Sequence, residues 1–131
     1  MELKPVTMKD AGFLLRLKNQ KDVRKFSIVS KGLIKKEDHL KWLEKTLKDK
    51  NVQFFIIFDK KPVGDLRIDR GEVSIRISAS SQGKGYGRLA LKGIRTGKAK
   101  IVEGNIKSMN LFMEAGFRFL SYKNGVYLCS K

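Results

Sequence analysis

The chain has 131 residues, of which 29 are Lys or Arg and 13 are Asp or Glu, so its formal net charge at pH 7 is +16. This length fits one domain with one core, and no apolar stretch approaches the ~20 residues of a membrane-spanning helix. The N-terminus lacks an apolar signal region, and the single cysteine, Cys129, cannot form an internal disulfide, so we expect a cytoplasmic protein with a buried thiol. The charge favours anionic partners, including nucleic acid, coenzymes and nucleotide-linked sugars, without choosing among them.

Strand and helix patterns alternate along the chain and predict one α/β domain over residues 1–131. In the longest predicted helix, Leu40, Leu43 and Leu47 are expected to form the buried stripe. The final hairpin is indicated by Asn124-Gly125 between two apolar runs. The predicted elements are, in order, strand 3–6, helices 10–18 and 37–48, strands 52–58, 63–69 and 73–78, a short helix from Arg88, strand 98–102, helix 105–115, and strands 117–122 and 126–129.

The most informative stretch is the run from Gln82 to Gly87, which reads QGKGYG between a predicted strand and a predicted helix. Such a turn directs several backbone N–H groups into one loop at the positive end of a helix, where they can bind phosphate. Gly85 and Gly87 are expected to take positive φ and admit a ligand close to the backbone. The absence of Lys-Ser or Lys-Thr after Gly87 excludes a Walker loop, and the spacing G-x-G-x-G does not fit a dinucleotide fingerprint. Taken alone, the stretch could also be a glycine-rich turn without a ligand.

The spacing Gln82-x-x-Gly85-x-Gly87 resembles the acetyl-CoA pyrophosphate loop of the GCN5-related N-acetyltransferases. A second segment, 105–117, resembles the signature in which an Asn ends the fifth strand, a short helix follows and Gly-Phe begins the sixth strand. The chemistry of the residues agrees with this signature, since Asn105 suits the N-cap of a helix and Gly116 suits the left-handed position after one. The resemblance implies an N-acetyltransferase that uses acetyl-CoA without a metal. It also implies a mixed, mostly antiparallel sheet of about seven strands, with strands 4 and 5 splayed apart, and about four helices.

The resemblance further implies how the cofactor is held. Free backbone groups of the fourth strand, at Ile75, Arg76 and Ile77, would bind the pantetheine arm and the thioester oxygen. The remaining predicted cofactor-binding residues are Gln82, Gly83, Lys84, Gly85, Tyr86, Gly87 and Arg88 at the pyrophosphate, and Asn105, Ser108 and Phe112 on the closing helix.

Acetyl transfer needs a base for the amine and a proton for the departing thiolate. Glu72, at the start of the fourth strand, is the predicted base, with a solvated turn residue as the alternative. Many family members carry Tyr where this chain has Phe112, which cannot donate a proton and is expected to pack in the core. Either a hydroxyl such as that of Ser108 or Tyr122 replaces it, or the thiolate leaves without direct help.

In this family the acceptor is bound largely by the first two helices and their connection. The predicted acceptor-binding residues are Arg24, Phe26, His39, Trp42 and Arg67. Arginines would pair with a diphosphate and aromatic rings would stack on a base or sugar, and the pattern resembles the branch that acetylates amino-sugar nucleotides in surface-polysaccharide or pseudaminic-acid-type pathways. The alternatives are surface arginines with a core tryptophan, a protein amine as acceptor, or a non-catalytic module that binds acyl-CoA or nucleic acid. A homodimer through the final hairpin is also predicted.

Overall fold

A computed structural model describes residues 1–28 and 32–131 as a seven-stranded sheet with helices on both faces. The strands are β1 (Glu2–Pro5), β2 (Val52–Phe58), β3 (Pro62–Asp69), β4 (Glu72–Ile77), β5 (Lys98–Val102), β6 (Arg118–Lys123) and β7 (Val126–Ser130). The helices are α1 (Ala11–Lys18), α2 (Lys21–Lys25), α3 (Lys36–Lys48), α4 (Tyr86–Lys92) and α5 (Ile106–Glu114), with 3₁₀ turns at Met8–Asp10 and Ala79–Ser81. The short α2 is the helix that the sequence did not predict.

The strand order is β1-β2-β3-β4-β5-β7-β6, and every neighbouring pair is antiparallel except β4 and β5. The parallel pair has a single register contact, Glu72 opposite Lys98, while β4 pairs with β3 as far as Ile77. The two central strands therefore meet at one end and diverge at the other. The predicted architecture, including the splayed fourth and fifth strands, is confirmed.

Two apolar clusters fill the two faces of the sheet. The larger cluster lies under α4 and α5 and includes Leu91, Phe112, Phe117 and Cys129, which are 0–4% exposed. The smaller cluster lies under α1 and α3 and includes Leu14, Leu43, Phe54 and Ile56. Because both faces are covered, the central strands β2 to β4 have little surface open to water on either side.

The buried face of α3 differs from the predicted leucine stripe. His39 and Leu43, four residues apart, are buried, whereas Leu47 is 37% exposed and Leu40 is half-buried. The helix is rotated because His39 and Trp42 pack inward over the sheet, which leaves Leu47 at its margin. None of the helices among residues 1–28 and 32–131 has the length and apolar character to cross a membrane.

Candidate functional site

The site is built around the opening between β4 and β5. Beyond the contact of Glu72 with Lys98, the edge of β4 that faces β5 has no strand partner within the described part of the chain. The 3₁₀ turn and the glycine loop follow directly at the open end of β4. An open strand edge beside a glycine loop provides backbone groups for an extended ligand with a phosphate end.

The glycine loop takes the conformation that only glycine adopts easily. Gly83 has φ of 78° and Gly85 has φ of 86°, and a Cβ at either position would meet no atom within 4 Å. Gly85 is the N-cap of α4 without a side-chain hydrogen bond to cap it, so the first amides of the helix are available to a ligand. Lys84 and Arg88 are exposed beside them.

Gly87 serves a different purpose from the one predicted. Its φ is not positive, and it lies within α4, buried against α5. A Cβ there would approach Leu111 Cδ2 to 2.9 Å. The missing side chain lets the two helices pack closely, so the prediction of a positive φ at Gly87 is wrong.

Gln82 holds the loop in place through its amide. The amide donates to Asp22 Oδ2 at 2.9 Å and to the carbonyl of Ile77 at 3.2 Å. Gln20 also donates to the Ile77 carbonyl, at 3.3 Å, and accepts from the Ala79 amide at 2.8 Å. These bonds fasten α2 to the end of β4, and they occupy the Ile77 carbonyl and the Gln82 amide that the sequence assigned to the cofactor. The remaining predicted contacts on β4 are those of Ile75 and Arg76.

The start of α4 is also fixed from the other side of the loop. The Tyr86 hydroxyl donates to Asp59 Oδ2 at 2.7 Å, in the turn between β2 and β3. This bond raises the pKa of Tyr86 and lowers the pKa of Asp59. Tyr86 therefore positions the glycine loop through its side chain, while its amide stays at the helix start.

The closing helix α5 is capped as predicted and packs its phenylalanine inward. Asn105 Oδ1 accepts from the Ser108 amide at 3.4 Å, which places half-buried Ser108 in the first turn. Phe112 is 4% exposed and lies edge-on to Phe117 with ring centroids 5.0 Å apart. The ring of Phe112 is thus part of the core rather than of a ligand surface.

The two other candidates for proton transfer lie apart from the open end of the cleft. Glu72 forms an ion pair with Lys100 at 3.2 Å, where β4 and β5 meet, and five residues of strand, about 17 Å, separate it from Ile77. Tyr122 lies on the outermost strand and donates to Glu103 at 3.0 Å, which raises its pKa. The position of Tyr122 at the sheet edge argues against a role at the thioester.

A cluster of charged side chains lies between the sheet and the α1–α3 layer. Asp65 is 1% exposed and accepts two hydrogen bonds from the Arg76 guanidinium, one of them from Nε at 3.0 Å. The two residues face each other across β3 and β4. Arg67, two residues along β3, lies on the same face. The buried carboxylate of Asp65 is thus bonded to Arg76, and Arg67 lies near the same face without an ion pair to it.

Trp42 is the centre of this cluster. Lys18 Nζ lies 2.9 Å from the centroid of its ring, and the Arg67 guanidinium carbon lies 5.1 Å from it. His39 stacks on the same ring and donates from Nε2 to the Ala11 carbonyl at 3.0 Å. At 1% exposure, His39 is buried against Trp42 and has almost no surface that a substrate could contact, which corrects its predicted role.

The cluster is unfavourable for additional positive charge. Burial, followed by the charges of Arg76 and Arg67, lowers the pKa of Lys18 to about 7, although Asp65 opposes the shift. Burial, followed by Lys18, lowers the pKa of His39, so its ring is neutral at pH 7. Burial and Arg76 likewise lower the pKa of Arg67.

The predicted acceptor residues fall into two groups. His39, Trp42 and Arg67 come together under α3, whereas Arg24 lies in α2 and Phe26 at its C-terminal end. α2 is attached to the glycine loop through Asp22 and Gln82, so the second group lies beside that loop.

Sequence reasoning missed Lys18 and Asp65. Lys18 follows buried Leu14 by four residues and thus shares its inward face, a signal that periodicity could have revealed. Asp65 alternates with the apolar residues of β3 as a surface residue would, and only the helical layer above the sheet buries it.

No protein-family model and no curated protein matches this sequence. Solved structures do match it over almost its whole length. An acetyltransferase from Thermus thermophilus is 26% identical, with a TM-score of 0.79, and the match covers 99% of this chain and 95% of that one. A spermidine N-acetyltransferase from Vibrio cholerae, in complex with CoA and spermine, is 17% identical, with a TM-score of 0.84 and coverage of 99% and 94%. A domain from Methanocaldococcus jannaschii is 23% identical, with a TM-score of 0.83 and coverage of 99% and 96%.

These likenesses, together with the divergent β4 and β5, show that the chain has the fold of the GCN5-related N-acetyltransferases. Within the described ranges, no three His, Cys, Asp or Glu side chains are grouped to hold a metal ion. The arrangement offers free backbone groups along β4 and a charged cluster between the sheet and the α1–α3 layer.

Proposed function

We propose that the protein is an acetyl-CoA-dependent N-acetyltransferase that acts on a primary amine. The observation that carries this proposal is the opening of the sheet between β4 and β5 directly beside the glycine loop. Backbone groups of Ile75 and Arg76 would bind the pantetheine arm, and the amides from Gly83 to Gly87 would bind the pyrophosphate. Lys84 and Arg88 supply positive charge for the phosphates.

The transfer is proposed to be direct, within a ternary complex. The amine nitrogen forms a bond to the thioester carbonyl carbon, the C–S bond breaks, and the electron pair goes to sulfur. Ser108, towards the open end of the cleft, is the proposed donor to the thiolate. The amine proton is proposed to leave to water, because Glu72, the predicted base, is paired with Lys100 about 17 Å along β4 from Ile77. The one cysteine supports direct transfer, because Cys129 is 0% exposed and burial raises the pKa of its thiol.

The proposed acceptor is an amino-sugar nucleotide. Three cations, Lys18, Arg67 and Arg76, accompany the single carboxylate of Asp65 in the acceptor region, and Trp42 offers an aromatic surface beside them. This charge balance favours an acceptor that carries negative charge and disfavours a polycation such as a polyamine. A protein amine is the alternative acceptor.

A homodimer through the final hairpin is also proposed. Phe119, Leu120 and Tyr122 on the edge strand β6 are 47–57% exposed, which is unusual for three large apolar side chains so close together. Sedimentation or light scattering would show a dimer, and a Leu120→Glu variant should be monomeric. A wild-type protein that is monomeric at all concentrations would contradict the proposed dimer.

The activity is tested by following free thiol release from acetyl-CoA with a panel of amines. The panel contains an amino-sugar nucleotide, the same amino sugar without the nucleotide, a polyamine and a protein N-terminal peptide. Turnover with the amino-sugar nucleotide supports both the proposed activity and the proposed acceptor. Faster turnover with the peptide would support the activity but would identify a protein amine as the acceptor. Absence of both turnover and acetyl-CoA binding would refute the function, and steep salt-dependent binding of nucleic acid in that case would favour a non-catalytic module.

The cofactor loop has a matched control within the same chain. Gly85 has φ of 86° and Gly125 has φ of 79°, and a Cβ at either would meet no atom within 4 Å. Alanine at either position should cost about 1 kcal/mol of stability. Only Gly85→Ala should weaken CoA binding, because Gly125 lies in the β6–β7 turn; equal CoA affinity for the two variants would place the cofactor elsewhere.

A further inference from the structure

The surroundings of Trp42 have an unbalanced charge. Asp65 gives both of its oxygens to Arg76, so its carboxylate neutralises that guanidinium directly. Lys18 and Arg67 lie against the Trp42 ring, and their interactions in the structure are with aromatic faces. Two cations are therefore held at a partly buried position, and no carboxylate of residues 1–28 or 32–131 forms an ion pair with either.

Arg67 also has an unused donor. Its Nε is buried and has no hydrogen-bond partner within the described residues. A guanidinium N–H that is removed from water and left unpaired is costly, and such groups in native proteins usually have a ligand or water as partner.

A cavity of about 190 Å³ leads to this arginine from the surface between α3 and the β2–β3 sheet. Trp42, Lys45 and Arg67 are among the residues of its wall. Two carboxylates, Asp49 and Asp69, also line it, but both already accept hydrogen bonds from Arg70, at 2.9 and 2.6 Å. Together with Arg70, the wall has three positive and two negative charges, a net positive balance, and its size suits a small oxyanion.

We propose that Arg67, in the wall of this cavity, and Lys18, which lies against the same Trp42 ring but outside that wall, form a subsite for a phosphate group of the acceptor. This inference rests on the proposed function and deepens it, because it places the acceptor's negative charge at the α1–α3 layer, away from the glycine loop that holds the cofactor. Arg67 supplies the directional N–H donors, and Lys18 supplies a charge that is present only when its amine is protonated.

Binding at this subsite is coupled to the protonation of Lys18. The groups that face its amine are Arg76 on β4, Asp65 and Arg67 on β3, and His39 on α3. Arg76 and Arg67 disfavour the protonated form of the Lys18 amine, and a bound oxyanion would favour that form. Because burial lowers the pKa of Lys18 to about 7, the amine is mostly neutral at pH 8 and mostly protonated at pH 6, so an oxyanion should bind with more proton uptake at pH 8 than at pH 6.

The test uses inorganic sulfate as the probe, because sulfate is tetrahedral and does not itself titrate between pH 6 and 8. Saturating CoA is present to fill the glycine loop. Calorimetric titrations in buffers of different ionisation enthalpy measure the protons taken up per sulfate. Lys18→Met should abolish proton uptake, and Arg67→Gln should weaken sulfate binding about tenfold or more. The matched controls Lys9→Met and Arg95→Gln, both at exposed positions outside the cavity wall, should retain proton uptake and affinity.

The source of the phosphate is tested with the phosphorylated and unphosphorylated forms of one amino sugar. The phosphorylated form should have the higher kcat/KM, and Arg67→Gln should lower kcat/KM much more for the phosphorylated form than for the unphosphorylated form, so that the advantage is lost. Sulfate binding with equal kcat/KM for the two sugars would assign the subsite to free phosphate and overturn its role for the acceptor.

Sulfate binding without proton uptake, or with the same affinity in Arg67→Gln, would overturn the subsite itself. Either result would leave the proposed activity standing, because acetyl transfer to an amine that carries no phosphate would still be observed. Absence of any CoA binding or turnover would instead refute the proposed function, and the sulfate titration without CoA would still report on Lys18 and Arg67.

Discussion

Gly64 on β3 lies directly against the backbone of β4, and its replacement by alanine tests whether this contact shapes the site. A Cβ at Gly64 would lie 2.3 Å from the carbonyl oxygen of Arg76 and 2.9 Å from Ile77 Cδ1, whereas ordinary contacts of a Cβ begin at 3.4 Å. The obstacle at 2.3 Å is backbone, so the strands must separate by about 1 Å at this point. Overpacking typically costs 1–3 kcal/mol, and a backbone obstacle places Gly64→Ala near the upper end, at about 3 kcal/mol.

The matched control is Gly12→Ala in α1. Its nearest neighbour would be Arg16 Nη1 at 3.5 Å, which is ordinary contact with a flexible side chain. Alanine in a helix is favoured over glycine, so this variant should gain about 0.5–1 kcal/mol. The same chemical change should therefore have opposite signs at the two sites.

Urea unfolding, extrapolated linearly to water, measures both differences. For a domain of this size, Gly64→Ala should also lower Tm by about 10 °C. CoA affinity is measured in parallel, because separation of β3 from β4 also moves Ile77, the anchor of Gln20 and Gln82. A Gly64→Ala protein within about 0.5 kcal/mol of wild type would refute the reasoning, since the strands would then tolerate a Cβ where none fits.

Three further predictions concern the core and the charged cluster. Phe112→Tyr places a hydroxyl in a site that is 4% exposed, so unfolding free energy should fall by about 1–3 kcal/mol and thiol release should not accelerate; a faster rate would mean that the ring reaches the thiolate. Asp65→Asn deprives Arg76 of its buried counter-charge and should cost about 3 kcal/mol in urea unfolding; a loss under about 1 kcal/mol would contradict that role. Because the pKa of Lys18 is lowered from 10.5 to about 7, the unfolded chain binds more protons between these values, and wild-type stability should rise with pH across that window. Lys18→Met should lack this contribution, and Lys9→Met should retain it. If the unfolding free energies of wild type and Lys18→Met change with pH in parallel, the prediction is wrong.

The order of the elements could be predicted from the sequence because their signals are local. Alternation or helical periodicity marks each long element, and Asn124-Gly125 forms the predicted turn between β6 and β7, with φ of 51° and 79°. The glycine loop is equally local, since positive φ at Gly83 and Gly85 follows from neighbouring residues. The helix capped by Asn105 is a third local signal, and with the glycine loop and the strand pattern it was enough to predict the fold.

The charged cluster could not be predicted from local patterns, because it depends on which faces become covered. Lys18 and Asp65 are 47 positions apart in the chain and come near each other only when α1 packs over β3. The same layer rotates α3 so that His39 is buried and Leu47 is exposed. A polar residue on a strand predicts a solvated face only if nothing lies above it.

Local sequence preferences were enough to specify the strands, the longer helices and the glycine loop, since φ preferences and hydrophobic periodicity act over a few residues. Packing between distant segments controls which backbone and side-chain groups are free for chemistry. In the folded chain the Gln82 amide is hydrogen-bonded to Asp22 and Ile77, and Gly87 lies at the contact between α4 and α5. Lys18 and Arg67 both lie against the ring of Trp42. At these positions burial and neighbouring charge, rather than residue type, set what each group can do.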